Sequence, residues 1–253
     1  MINFGKKMML TASVVALSAV SVNSAQAQDL SFKNKDEFNE AVKSFILENP
    51  EVLFESIDRF REKEQENAQK SAREKISEHA EYLTRPDAPS FGNPDGDITI
   101  VEFFDYNCGY CKRALPDIQA ILDTDPNVRV VFKDMAILGP SSRTAALYAL
   151  ASKKQDKYFE YHVELMKHRG SKSEEELIKI GEKLGLDTGK LKADATSKEI
   201  SEQLEKDSRI ASEVGVQGTP AFIIGSQFIP GYVGEEGLKQ AIEEERAKLK
   251  NEG

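Results

Sequence analysis

Two cysteines and three histidines are all that 253 residues provide, and that scarcity argues against a metal protein. A structural zinc takes four nitrogen or sulfur ligands, and no second CxxC accompanies Cys108 and Cys111. His162 and His168 stand six residues apart, which does not put them on one helical face. With His79 they read as ordinary surface or partly buried side chains, so no metal site is expected within one chain; an ion shared between copies stays open. After residue 22 the chain also lacks any apolar run that could span a bilayer, which takes about 20 residues. It lacks internal repeats, and it lacks an excess of positive charge. The formal net charge is -9, which argues against nucleic acid and anionic membrane as partners and favours solubility.

The N-terminus supplies a compartment. Lys6 and Lys7 precede an apolar run over residues 8–22, and Ser24-Ala25-Gln26-Ala27 follows with small side chains. This is the pattern of a secretory signal over residues 1–27, with cleavage expected after Ala27. No cysteine lies near that point, which excludes a lipid anchor there. Losing Lys6 and Lys7 takes the net charge of the mature chain to about -11. Two cysteines in an exported chain suggest a disulfide staple. A bridge across only Gly109 and Tyr110, however, closes a loop too short to stabilise much.

Residues 28–85 read as a helical region. Asn34 with Glu37 three residues on is a capping-box-like start. Phe38, Val42, Phe45 and Ile46 form the apolar face of the first helix. Asn49-Pro50 starts a second, carrying Val52, Leu53, Ile57 and Phe60. Beyond Phe60 the stripe fades into REKEQENAQKSAREK, which has no large apolar residue. A helix to Leu83 would be about 50 Å long. It reads either as a solvated helix with pairs such as Glu66–Lys70 or as a spacer arm whose apolar start packs against copies of itself. The heptad pattern is too short to fix the oligomer number.

RPDAPSFGNPDGD, residues 85–97, holds three of the nine prolines and two glycines, and reads as a linker and the domain boundary. ITIVEFFDY is a buried-type strand, residues 108–122 are helical, and 128–132 form a second strand. A mostly helical insert runs over about 141–214. Two short strands hinged at Gly225-Ser226 and an amphipathic helix close the chain. The order points to an α/β fold with mixed strand directions.

Cys108 falls where a strand ends and a helix begins, at the positive helix pole. A thiolate there is stabilised and becomes a nucleophile at neutral pH. Cys111, one turn further in, is placed to act as the resolving thiol that frees a trapped mixed disulfide.

The strand-borne CGYC, followed much later by Gly218-Thr219-Pro220-Ala221-Phe222 ahead of a strand, resembles the thioredoxin superfamily. The helical insert between the two halves is similar to its DsbA-like branch. EFFDYNCGYCK together with ENPEVL in the N-terminal region resembles bacterial exported DsbA-family proteins with helical extensions, among them trimeric disulfide isomerases and outer-membrane antigens. The likeness covers residues 94–250 well and the extension more loosely.

The resemblance implies a thioredoxin-like fold over residues 86–253, with the helical insertion, preceded by the N-terminal arm. It implies Pro220 as a cis-proline facing the dithiol, with the Thr219 backbone pairing with an extended client peptide. It implies Glu102, six residues before Cys108, as a buried acid that accepts the Cys111 proton. Lys133 on the next strand is a candidate to neutralise that acid, and Pro116 matches the proline inside the active-site helix. No separate cofactor is implied, the Cys108–Cys111 pair being the redox centre.

The implied partners are misfolded exported proteins with cysteines, a membrane redox partner and further copies of the chain, a trimer being one form. The implied location is the periplasm, with outer-membrane association open. Gly109-Tyr110 contributes no cation between the cysteines, so a less oxidising couple is expected than in DsbA, which carries Pro-His. The isomerase DsbC shares Gly-Tyr. The resemblance therefore favours an isomerase or reductase over a dithiol oxidase. A non-enzymatic chaperone using the arm is the third reading.

Overall fold

Asn34 begins the first helix, as its spacing from Glu37 predicts. Its side chain accepts the Glu37 N–H at 2.9 Å, while the Glu37 carboxylate takes the N–H of Lys33 at 2.8 Å. The helix, α1, spans Lys35–Glu48 and ends at Asn49, whose backbone and side-chain N–H groups both reach the Phe45 carbonyl. The computed structural model describes residues 32–252, so the expected signal segment lies outside the described residues. The chain divides into two compact units between Ile57 and Asp58. In the first unit no residue of α1 is buried. Phe38, Val42, Phe45, Leu47, Leu53, Phe54 and Ile57 are all exposed.

The second unit is built on five strands. These are β1 (Ser90–Gly92), β2 (Ile98–Phe104), β3 (Val128–Asp134), β4 (Ala221–Ile224) and β5 (Gln227–Pro230), in the spatial order β1-β3-β2-β4-β5. β2 and β3 are parallel and the other pairs antiparallel, giving the mixed sheet that the element order predicts. The parallel pair is joined through α3 (Gly109–Thr124), which tolerates Pro116 within it. The insert comprises α4 (Pro140–Ser152), α5 (Tyr158–Lys167), α6 (Glu174–Lys183), α7 (Thr188–Ala195) and α8 (Lys198–Val214). Ser173, Asp187 and Ser197 cap the last three with side-chain oxygens. α9 (Gly234–Glu252) closes the chain. Arg246 on it forks to Asp97 and Asp125, tying α9 to the start of β2 and the end of α3.

Side chains alternate across a strand, so the sheet has two cores. Ile98, Ile100, Phe104, Val130, Phe132, Phe222 and Ile224 pack with α3, α9 and most of the insert. Val101, Phe103, Val131, Ala221 and Ile223 pack on the other face with Ile210 and Val214 of α8.

That second face also takes the end of α2, which spans Glu51–Leu83. Ile76 and Leu83 join its core, and Ala72 is buried too. The latter half of α2 is therefore not a solvated or free helix, and the expected boundary after residue 85 falls within the compact unit. The reason is sparseness: a few apolar residues about a turn or two apart suffice where a sheet offers a ready face. The expected linker likewise contributes the edge strand β1, which pairs with β3.

Two predictions follow from this packing. Leu83→Ala should lower stability by about 2–5 kcal/mol, the usual cost of emptying a fully buried leucine site, as measured by urea unfolding. A chain begun at Asp58 should unfold cooperatively, whereas one begun at Pro86 should not; an unchanged midpoint for the shorter chain would contradict this packing.

Candidate active site

Asp105 follows β2, and its buried carboxylate organises the turn that delivers the first cysteine. One oxygen accepts the Asn107 N–H at 2.7 Å and the Ser142 hydroxyl at 2.7 Å. The other accepts the N–H groups of Ile137 and Leu138, each at 2.9 Å. The Asp105 carbonyl takes the Cys108 N–H at 3.0 Å, and the Asn107 amide donates to Ser141 and Ser142. One side chain thus joins the end of β2, the loop after β3 and the first turn of α4. The sequence reading missed it. The available signal was an Asp two residues before an Asn at a strand end, the pattern of an Asx turn.

Cys108 is the N-cap of α3. Its sulfur accepts the Cys111 N–H at 3.4 Å, and its thiol donates to the Thr219 carbonyl at 3.1 Å. Helix-terminal N–H groups favour negative charge, so the Cys108 sulfur is the one placed to carry a thiolate. Cys111 is 1% exposed. Burial, followed by the charge of Glu102, pushes its thiol far above the usual range. Both cysteines are free thiols in the structure. Gly109 begins the helix with open space beside it, and Tyr110 is exposed.

Glu102 is fully buried in the central strand, in register with Phe132 on one side and Phe222 on the other. One of its oxygens has no hydrogen-bond partner. Burial, with a smaller contribution from Cys108, raises its pKa to about 8. Glu102 therefore lies beneath the dithiol and interacts with both cysteines.

Lys133 does not neutralise it. Lys133 is in register with Phe103, which puts it on the opposite face of the sheet from Glu102. There it meets Asp207 at 3.1 Å, both fully buried. The Tyr82 hydroxyl donates to the same Asp207 oxygen at 2.9 Å. His162 is buried against Phe104, Phe132 and Tyr158, with Tyr106 at 3.2 Å. Burial lowers its pKa to about 3, so it stays neutral.

The Thr219-Pro220 bond is cis. Thr219 and Pro220 come to Cys108 across 111 positions of sequence, because β4 pairs with β2. The Pro220 carbonyl accepts the Gly231 N–H at 3.0 Å, closing the loop onto the end of β5. A groove of about 500 Å³ beside it is lined by Ala68, Gly218, Thr219, Pro220, Phe228 and Pro230, among others. Exposed apolar side chains occur in the adjoining loops, namely Ile137, Leu138, Tyr232 and Val233. The Tyr232 ring lies 6.2 Å from that of Tyr110, and its hydroxyl donates to Asp117 at 2.7 Å. The structure therefore brings Cys108, Cys111, Glu102, Thr219 and Pro220 together, and leaves Tyr110 facing solvent.

Residues 99–243 match the DSBA-like thioredoxin domain, and residues 34–67 match the copper resistance protein ScsC N-terminal domain. Among solved structures, a thioredoxin-like oxidoreductase from Silicibacter pomeroyi DSS-3 is 40% identical. That likeness covers 66% of this chain and 97% of that one, with a TM-score of 0.64. A linker-deleted variant of ScsC from Proteus mirabilis is 25% identical over 88% of this chain and 99% of that one, with a TM-score of 0.66. Disulfide bond formation protein D of Bacillus subtilis is 28% identical over 171 residues, 62% of this chain and 76% of that protein. The chain spans only 24% of the length of another curated relative, Na(+)/H(+) antiporter NhaA 1 of Salinispora arenicola, at 27% identity over 153 residues.

The raised pKa of Glu102 has a consequence for stability. In the unfolded chain this carboxyl titrates near 4.5, and in the folded reduced chain near 8. Between those values the folded state holds a proton that the unfolded state has lost. Stability therefore falls as pH rises through that window and levels off above it. The amplitude is on the order of 5 kcal/mol. Glu102→Gln should flatten this slope, so that the variant is the more stable form above pH ~8. Urea unfolding of both reduced proteins across the window checks this, and parallel profiles would contradict it.

Proposed function

The chain belongs to the DsbA-like thioredoxin-domain family, and from that premise we propose that it is an exported thiol–disulfide oxidoreductase that corrects protein disulfides as a homo-oligomer. The observation that carries the exchange chemistry is the Cys108 sulfur, held between the N-terminus of α3 and the Thr219 carbonyl with Cys111 and Glu102 behind it.

The Cys108 thiolate attacks one sulfur of a client disulfide. That S–S bond breaks, a Cys108–client disulfide forms, and the other client sulfur leaves as a thiolate. In isomerisation a different client thiolate then attacks the client sulfur bound to Cys108, which regenerates the Cys108 thiolate with no net transfer of electrons. In reduction the ionised fraction of Glu102, a minority below about pH 8, takes the Cys111 proton, and the Cys111 thiolate attacks the Cys108 sulfur. The client leaves with two electrons, and Cys108–Cys111 becomes a disulfide. A further turnover of that kind needs a dithiol reductant, the role of the membrane redox partner. The client backbone lies along the Thr219-Pro220 loop, where an extended segment can add to exposed peptide groups.

Two features favour correction over net oxidation. Gly109-Tyr110 places no cation between the cysteines, so the reduced form is less favoured than in a strong oxidase. In the N-terminal unit, Phe38, Val42, Phe45, Leu53, Phe54 and Ile57 are exposed, an apolar stripe suited to packing against copies of the same chain. An oligomer holds several dithiols near one misfolded client and raises their effective concentration.

The reduction potential should lie nearer to about -180 mV than to about -120 mV, the value of a strong dithiol oxidase. The mature chain should reshuffle a scrambled multi-disulfide protein. A chain begun at Asp58 should keep peptide disulfide reduction and lose most of the reshuffling. A truncated form that reshuffles as well as the mature chain, or a potential at the oxidising end, would refute the isomerase reading.

A further inference from the structure

Lys112 follows Cys111 in the first turn of α3, and its N–H bonds to the Cys108 carbonyl at 3.2 Å. Its ammonium reaches toward the insert and donates to the His168 carbonyl at the end of α5, at 3.1 Å. Beside it is Lys172, in the loop between α5 and α6, only 6% exposed. Burial, then the neighbouring charge of Lys112, lowers the Lys172 pKa to about 8. Neither lysine has an ion pair among the described residues, although the chain carries an excess of acidic side chains. The acid that acts on Lys172 is Asp105. Its two oxygens are already taken by Asn107, Ser142, Ile137 and Leu138. The His168 ring is turned to the Ser171 carbonyl.

Two adjacent ammonium groups, one of them nearly buried, are costly without a compensating anion. Long-range repulsion from a net charge of -9 would otherwise disfavour acidic clients. We propose that Lys112 and Lys172 form a carboxylate-binding site beside the dithiol, which captures an aspartate or glutamate flanking the client's reacting cysteine. This rests on the thiol–disulfide reading above and adds a client preference to it. A polypeptide client carries carboxylates as its common anions, and the site lies on the insert side of α3. The Thr219-Pro220 loop meets Cys108 through the Thr219 carbonyl. A client so held is fixed at its backbone by one wall and at an acidic side chain by the other.

The test uses the mature full-length reduced protein and two peptides, each joined by a disulfide to a reporter thiol. They differ only in carrying Glu or Gln within about three residues of the cysteine. At low ionic strength the Glu peptide should react about tenfold faster, an advantage that added salt diminishes. The advantage should fall to near parity in Lys172→Gln and in Lys112→Gln, and return in Lys172→Arg. Lys112 is only half-buried, so its substitution tests the site even where Lys172→Gln fails to fold. Equal rates for the two peptides in the parent protein would overturn the proposal, as would an advantage that survives Lys112→Gln. Absence of exchange with either peptide would overturn the thiol–disulfide reading as well, so the two failures are distinguishable.

Discussion

The position of one sulfur organises the functional half of this molecule. Cys108 must end a strand, cap a helix and touch a carbonyl contributed by a segment more than a hundred residues away. Each requirement is met by a different level of structure. The Asx turn at Asp105 stops β2 and turns the chain into α3. The helix start supplies the N–H that faces the sulfur. The antiparallel register of β2 with β4 brings Thr219 alongside. The insert from α4 to α8 can be long because it leaves β3 and returns to β4 without disturbing that register.

The two faces of the sheet handle buried charge in opposite ways. On the dithiol face, Glu102 is left without a cation between two phenylalanines, so burial keeps it protonated up to about pH 8. Its ionisation responds to the charge of the cysteines, and the fraction that is ionised near neutral pH can accept the Cys111 proton. On the far face Lys133 and Asp207 neutralise one another, with the Tyr82 hydroxyl and ring completing their surroundings. That pair fastens α2 and α8 to β3. Removing one partner of such a pair costs more than the pair itself contributes, which makes it a device for fixing how the elements dock.

Much of the site was legible because its residues act through local position. A cysteine at a strand–helix junction and a Thr-Pro ahead of a strand are visible in a line of sequence, and the structure puts both where the resemblance implies. Glu102 was legible through the resemblance, supported by a strand too apolar to face water. Lys133 was not, since its proximity to Glu102 in the fold depends on the strand register. One step of side-chain alternation sends it to the other face. Ile76 and Leu83 were hidden in a helix whose other residues are mostly polar. What they pack against is a sheet face that no local pattern announces. Asp105 and the Lys112–Lys172 pair were missed for the same reason, because their partners are backbone groups and side chains from separate elements.

The account depends on Cys108 being the attacking thiol and Cys111 the resolving one. The most direct measurement is to mix Cys111→Ser and, separately, Cys108→Ser with a peptide disulfide and determine the adduct mass and its site. The account predicts a persistent mixed disulfide on Cys108 in Cys111→Ser, no such rapid adduct in Cys108→Ser, and only a transient one in the parent protein. Equal trapping on Cys111 in Cys108→Ser would contradict it.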